Sequence, residues 1–141
     1  MTTIQATPEG ETTQPLIYVD TSKVREGALT QLKSAIAELA DFVEENEPGL
    51  ISYSVYFSED GSEMTVVHVH VDAASPDDHM DVLGSRLNSF ADLLMLSSIH
   101  IYGEPSARAL EQLHHKMRLL GPGGVIVHAS HAGFNRPSLP R

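Results

Sequence analysis

The chain has 141 residues, a formal net charge of −10 at pH 7 and no cysteine. The acidic balance disfavours a nucleic-acid partner, because phosphate backbones are bound by clustered lysine and arginine. Without cysteine there are no disulfides, thiolate metal ligands or cysteine nucleophile. No apolar run approaches the roughly 18 to 20 residues of a spanning helix, and residues 1–14 lack a signal-peptide pattern. We therefore expect a cytoplasmic protein with no membrane partner.

The domain organisation expected from composition is simple. Residues 1–14 are rich in Thr and Glu and are predicted to be a flexible lead. Residues 15–134 are predicted to form a single domain, and residues 135–141, with two prolines, a loose tail.

The first half of that domain has clear periodicity. A short strand is predicted over 16–20, followed by an amphipathic helix over 25–46 that ends before Pro48-Gly49. Strict alternation predicts a strand over 50–57, and the turn residues at 59–62 join it to a strand over 64–72. The apolar positions of the helix recur at helical spacing: Leu29, Leu32, Ile36, Leu39 and Val43.

The second half continues the alternation of helices and strands. Ser75 is predicted to cap a second helix, whose buried stripe is Met80, Leu83, Leu87, Phe90, Ala91 and Leu94. A strand over 98–102, a third helix capped by Ser106 and a strand over 125–129 follow. The order predicts an α+β domain with a ferredoxin-like βαββαβ antiparallel sheet, helices on one face, central first and third strands, and an appended αβ unit.

Alternation along the strands also predicts two faces of the sheet. The apolar set expected beneath the helices is Ile17, Val19, Ile51, Tyr53, Val55, Val67, Val69, Ile99 and Ile101. The set expected on the helix-free face is Leu16, Tyr18, Asp20, Ser52, Ser54, Tyr56, Val66, His68, His70, Asp72, His100 and Tyr102. We expect a second copy to cover this mixed face and to enclose a polar cavity.

The segment from Glu47 to Tyr53, with its Pro-Gly before a strand, the following hairpin, Asp72 and the helix containing His79 resembles the antibiotic biosynthesis monooxygenase-like family of the dimeric α+β barrel superfamily. The resemblance covers roughly residues 16–102. It implies a homodimer with two sheets face to face and a pocket in each subunit. The family includes cofactor-independent oxygenases and haem-degrading enzymes. Because the chain has no Trp and its first strand offers Tyr18 and Asp20 instead of Asn, haem degradation is disfavoured.

The most specific local pattern is His68-Val69-His70. Two histidines at i and i+2 of a strand point the same way, with Cα atoms about 6.5–7 Å apart. They are the candidate catalytic residues, since a histidine could remove a phenolic or enolic proton while Tyr18 or Tyr102 orients the oxygen. The predicted ligand pocket comprises Tyr18, Asp20, Ser54, His68, His70, His100 and Tyr102. The histidines could instead form hydrogen bonds across a subunit interface.

We accordingly hypothesise a homodimer that binds a small molecule, with a possible role as a cofactor-independent oxygenase of an aromatic or quinone-like compound. No cofactor is predicted. The alternative is a metal-dependent enzyme or metal-binding protein that uses the His68/His70 pair, with His100 or Asp20 as a further ligand. No metal is favoured.

Overall fold

A computed structural model describes residues 14–73, 75 and 83–136. The elements in chain order are β1 (Leu16–Val24), α1 (Leu29–Asn46), β2 (Leu50–Phe57), β3 (Glu63–His70), a 3₁₀ helix (Gly84–Asp92), β4 (Leu94–Tyr102), α2 (Ala107–Leu120) and β5 (Gly124–His128). The predicted lead and tail fall mainly on residues 1–13 and 137–141, outside the described ranges. Within those ranges, no helix combines the length and hydropathy needed to cross a membrane.

The strands form one sheet in the order β2-β3-β1-β4-β5. Neighbouring strands are antiparallel except β4 and β5, which are parallel. The predicted ferredoxin-like α+β fold is confirmed, with β1 and β3 in the interior of the sheet and the appended α2-β5 unit extending it beyond β4.

Two local sequences explain where elements begin and turn. The Ser106 hydroxyl accepts a hydrogen bond from the Ala109 N–H at 3.0 Å, so it caps α2 as predicted. In the β2-β3 hairpin, the Asp60 carboxylate accepts hydrogen bonds from the Ser62 N–H and hydroxyl, and Gly61 adopts a φ of 75°. That left-handed conformation is open to glycine at little cost.

Around the second helix, the element boundaries in the structure differ from the predicted ones. Leu94 belongs to β4 rather than to the helix, because β4 pairs with β1 as far as Val24 across a bulge. The described part of the helical segment, Gly84–Asp92, is a 3₁₀ helix. Leu83, Leu87 and Phe90 are buried in the core as expected, whereas His79 and Met80 lie outside the described residues.

The turn between α2 and β5 contains glycines that permit a close approach of two backbones. A Cβ at Gly121 would collide with the Leu96 backbone, and one at Gly123 with the Ser97 backbone. Residues 121–124 follow the end of the helix and let the α2-β5 connection lie directly against β4.

The predicted assignment of faces is wrong for the two central strands. In β1 and β3 the side chains beneath the helices are Leu16, Tyr18, Asp20, Ser22, Met64, Val66, His68 and His70, and all are buried. Ile17, Val19, Val67 and Val69 lie on the opposite face. The assignment holds for Tyr53 and Val55 of β2 and for Ile99 and Ile101 of β4, which pair with helix-side residues of their neighbours. Both faces of β1 and β3 are rich in apolar residues, so hydrophobicity alone did not distinguish them.

Candidate functional site

A group of polar side chains lies between the sheet and the helices. We call it the buried polar cluster: Tyr18 and Asp20 of β1, Tyr53 of β2, His68 and His70 of β3, Glu47 after α1, Ser75 after β3 and Lys116 of α2. All except Tyr53 are less than a tenth exposed, and Tyr53 is partly buried. Buried polar and charged side chains are uncommon unless they are paired, so this concentration marks the place where the fold departs from an apolar core.

Aromatic stacking orders the centre of the cluster. The Tyr18 and His68 rings are cross-strand neighbours and stack with centroids 3.8 Å apart and planes at 11°. Tyr53, on the other side of β3, meets the His68 ring edge-on at 5.0 Å. His70 stacks less closely on Tyr18, at 5.6 Å. The His68 ring therefore has a defined plane and little freedom to rotate.

Hydrogen bonds orient both histidines. His68 Nδ1 lies 3.2 Å from the Tyr18 carbonyl oxygen, which can only accept, so Nδ1 carries the proton and Nε2 is the basic nitrogen. That Nε2 lies 4.0 Å from Asp20 Oδ2. His70 Nδ1 lies 2.7 Å from the Ser75 hydroxyl, and the Ser75 N–H donates to Asp72 Oδ1 at 3.0 Å.

A buried ion pair links the sheet to α2. Lys116 Nζ donates to Asp20 Oδ2 at 2.5 Å, and both side chains are 7% exposed. The Lys116 ammonium also lies 5.6 Å from the centroid of the Tyr18 ring, within the range of a cation–π contact. The second carboxylate oxygen, Asp20 Oδ1, is buried and accepts no hydrogen bond from the described residues.

The environment holds both tyrosines of the cluster in the neutral form. Burial raises the pKa of Tyr18 well above its usual value of about 10, and the charge of Asp20 raises it further. Burial, then Asp20, then Glu47 raise the pKa of Tyr53 in the same way. Neither phenol is suited to act as a base near neutral pH, but each can donate a hydrogen bond.

A small cavity adjoins the cluster. Its volume is about 30 Å³, and its polar lining includes Asp20, Ser22, Tyr53 and Lys116. The rest of the lining is apolar: Ile36, Leu39, Met64, Val66, Leu83, Leu87, Phe90, Leu94, Leu96 and Leu120. This space is large enough for one or two water molecules, and a larger ligand must widen it.

A second polar group lies on the opposite, helix-free side of the sheet. His100 Nδ1 and His128 Nε2 are 2.9 Å apart in a hydrogen bond, and the Tyr102 ring stacks on His128 at 4.7 Å. Both histidines are partly buried and Tyr102 is 43% exposed. Ser54 is on this side as well, 3.3 Å from the Ser52 hydroxyl. Tyr102 and His128 also line a wide groove of about 980 Å³ at the end of the sheet.

The seven residues predicted for one pocket are thus divided by the sheet. Tyr18, Asp20, His68 and His70 come together beneath the helices, whereas Ser54, His100 and Tyr102 lie on the other face. The expectation of a single cavity lined by all seven is wrong, because β1 and β3 face the opposite way from that expected.

Sequence reasoning overlooked Lys116, Glu47, Tyr53 and Ser75 as site residues. Lys116 could have been found, because it falls on the buried stripe of its helix, three residues after Leu113 and four before Leu120. A single lysine at such a position is a signal for a buried counterion. The metal alternative gains no support: among the described residues, no three His, Asp or Glu side chains converge as ligands would.

Residues 15–82 match the family model described as Antibiotic biosynthesis monooxygenase. The predicted family resemblance is confirmed. The match includes Tyr18, Asp20, His68 and His70 but ends before α2, so Lys116 lies outside it. No curated protein matches the sequence.

Several solved structures share the fold. MupZ from Pseudomonas fluorescens has a TM-score of 0.69 and 16% identity, over 91% of this chain and 99% of that one. SO0527 from Shewanella oneidensis is 27% identical over 62% of this chain and 86% of that one, with a TM-score of 0.53. SnoaB, a cofactor-independent oxygenase from Streptomyces nogalater, is 15% identical over 66% of this chain and 95% of that one, with a TM-score of 0.53. The alignment with MupZ leaves out only 9% of this chain and therefore extends well beyond residue 82, where the match to the family model ends.

Proposed function

We propose that this protein is a small-molecule-binding oxygenase that acts on an aromatic or quinone-like compound without a cofactor, and that its site is the buried polar cluster. The observation that carries the proposal is the oriented His68: its Nδ1 donates to the Tyr18 carbonyl, its ring is held by Tyr18 and Tyr53, and its basic Nε2 lies near Asp20. The apolar lining beside the cluster suits a conjugated ring. The family match and the activity named for SnoaB support the same reaction class.

The chemistry begins with removal of a proton from the substrate. A base takes the proton of a phenol or enol, and the resulting anion is electron-rich enough to pass one electron to dioxygen. Recombination at a ring carbon that bears hydrogen gives a hydroperoxide, and loss of water leaves a ketone. One oxygen atom of dioxygen enters the product, the other leaves as water, and the substrate supplies all the electrons. In this scheme His68 is the base, and Tyr18 and Tyr53 contact the substrate as neutral phenols.

Dithranol, a hydroxylated anthrone, is a suitable test substrate because oxidation converts a ring methylene to a ketone. Oxygen uptake and the absorbance of the quinone product should both rise above the rate in buffer. His68→Asn keeps a donor near the Nδ1 position but lacks the Nε2 base, and should lower turnover by about a hundredfold or more. His114→Asn changes an exposed histidine of α2 and is the matched control.

The outcomes separate two roles on the same fold. Turnover that survives His68→Asn would show that His68 is not the base. Binding of dithranol by wild-type protein without oxygen uptake would favour a non-catalytic ligand-binding protein. If wild-type protein neither binds dithranol nor takes up oxygen in its presence, the proposed substrate class is wrong.

We further infer that the protein is a homodimer joined through the helix-free face. This face is defined by Ile17, Val19, Thr21, Ser52, Ser54, Tyr56, Thr65, Val67, Val69, Ser98, His100, Tyr102, Ile126 and His128. At one end of β1 and β3 the face also carries Lys23 and Glu63, which pair with each other and have opposite charges, so the face has no net charge in a chain with a net charge of −10. A partly apolar face without net charge lets two acidic copies approach with little repulsion. The cytoplasmic location expected from the sequence stays a prediction.

A further inference from the structure

The Asp20–Lys116 pair is unusual in two respects. First, the lysine comes from α2, outside the part of the chain that matches the family model, and its side chain is only 7% exposed. Second, the carboxylate has one oxygen bound to Lys116 and another, Oδ1, that accepts no hydrogen bond from the described residues although it is buried. A carboxylate can accept about four hydrogen bonds, and a buried oxygen without a donor is costly. Among the described residues, the pair therefore lacks a donor for Asp20 Oδ1.

The cavity beside the pair shows where a donor could come from. Asp20 and Lys116 both line it, and most of the remaining lining is apolar. A ligand that enters here meets a hydrogen-bond acceptor and a cation at one end and hydrocarbon elsewhere. The cavity of about 30 Å³ must widen to admit a ring system, and its lining then suits a conjugated molecule that presents a single hydroxyl to the pair.

The charges of the buried polar cluster further restrict the class of ligand that can bind. The Asp20 carboxylate and the Lys116 ammonium neutralise one another, and the Glu47 carboxylate adds a negative charge near Tyr18 and Tyr53. A ligand that already carries a negative charge would bring a further anion into a buried site with one ammonium, which is unfavourable. A neutral hydroxyl adds no net charge. If its proton moves by way of Asp20 Oδ1 to the base His68, whose Nε2 lies 4.0 Å from Asp20 Oδ2, the O–H bond of the ligand breaks, an N–H bond forms on the imidazole, and the ligand oxygen becomes a second counterion of Lys116.

We propose that Asp20 and Lys116 together select an un-ionised acidic hydroxyl, that of a phenol or an enol, over a carboxylate or another permanent anion. Lys116 is the specificity-determining residue, because it stabilises the oxygen anion once the proton has left. The assignment rests on the proposed function for the location of the site, and it adds the charge state of the substrate that the site selects and a role for Lys116 of α2.

The test compares two ligands of similar shape, a naphthol and the corresponding naphthoate, by calorimetric titration at neutral pH, where only the naphthoate is ionised. Wild-type protein should bind the naphthol about tenfold more tightly or better. Lys116→Met should weaken naphthol binding by about tenfold to a hundredfold, whereas Lys116→Arg should retain it. Lys33→Met, at an exposed lysine of α1, is the matched control.

Asp20→Asn gives the most discriminating test of the proposal. It leaves the buried lysine without its carboxylate, so the preference should reverse and the naphthoate should bind more tightly than the naphthol. Equal binding of the two ligands to wild-type protein, an unchanged preference in Asp20→Asn, or no binding of either ligand would each overturn the proposal.

A double variant tests the proposal even if one of the single substitutions prevents folding. Asp20→Asn/Lys116→Gln replaces the ion pair with two neutral amides, and it should fold yet bind the naphthol about tenfold more weakly than wild-type protein. Wild-type affinity in this variant would mean that the pair does not contact the ligand. Failure of the oxygenase proposal can be told apart from failure of the Asp20–Lys116 assignment. Naphthol binding without dithranol oxidation would contradict only the oxygenase proposal. Dithranol oxidation that survives Lys116→Met would contradict only the assignment.

Discussion

The two faces of the sheet carry the same kinds of residue in different surroundings. Beneath the helices, Tyr18 stacks on His68 at 3.8 Å and both side chains are buried. On the helix-free face, Tyr102 stacks on His128 at 4.7 Å, and both are in contact with solvent. Only the first pair adjoins a buried ion pair, that of Asp20 and Lys116. Tyrosine and histidine occur on both faces, so the proposed site is distinguished by burial and a neighbouring charge, both of which change the chemical behaviour of a side chain.

The largest expected effect comes from breaking the ion pair on the buried side. Lys116→Met leaves the Asp20 carboxylate buried without its cation, and the free energy of unfolding should fall by about 3–5 kcal/mol. Asp20→Asn/Lys116→Met removes both charges and should recover most of that loss. Urea denaturation at a fixed protein concentration measures both values. If the double variant is no more stable than Lys116→Met, the unpaired Asp20 carboxylate is not the cause of the lost stability.

The helix-free face should respond to a charge placed in its centre. Val67→Asp puts a carboxylate among Val19, Ser54 and their neighbours, and it should convert a dimer into a monomer because two copies would each bury a charge. Light scattering should return twice the chain mass of 15.3 kDa for wild-type protein and the single mass for the variant. Leu119→Asp, at an exposed position of α2, should stay dimeric. A monomeric wild-type protein at micromolar concentration would remove the proposed role of this face.

The buried tyrosines predict how stability changes at high pH. The pKa values of Tyr18 and Tyr53 are raised in the folded protein, mainly by burial. Their contribution to stability is complete below the unfolded-state pKa of about 10 and is lost as the pH rises beyond it. Each tyrosine should lower the free energy of unfolding by about 1.4 kcal/mol per pH unit in that range. Tyr18→Phe should make the slope shallower, whereas Tyr56→Phe, on the helix-free face, is the control. An equal slope in wild type and Tyr18→Phe would contradict the assignment.

The smallest effect is expected from the histidine pair on the helix-free face, His100 and His128. His128→Asn removes the hydrogen bond to His100, and the free energy of unfolding should change by about 1 kcal/mol, the usual net contribution of one neutral hydrogen bond. Dithranol oxidation should match the wild-type rate, in contrast to His68→Asn. A loss of turnover as large as that of His68→Asn would mean that the two faces do not differ in function as proposed.

The elements and their order were largely predictable because each has a local cause. The spacing of Leu32, Ile36, Leu39 and Val43 predicted α1, and the alternation in Leu50–Phe57 predicted β2 with the bounds that the structure has. The errors lie where a local signal was weak. Leu94 fitted the period of a helix but joins β4, because pairing with β1 outweighs that periodicity.

The candidate site was predictable only in part. His68 and His70 were correctly expected to point the same way, and Tyr18 and Asp20 were correctly grouped with them, because neighbouring strands present registered residues on a common side. Ser54, His100 and Tyr102 were grouped with them incorrectly. Lys116 was not assigned to the site, since 96 residues separate it from Asp20 and no local pattern connects the two.

The residues that share a side of a strand could be read from the sequence, because side chains alternate along any regular strand. The sequence did not determine which side the helices would cover. In β1 and β3, Ile17 and Val69 are as apolar as Leu16 and Val66, so the hydrophobic effect favours either orientation. Only the tertiary structure decided this: α2 brings the Lys116 ammonium to the Asp20 carboxylate, and that contact lets the polar side of β1 be buried.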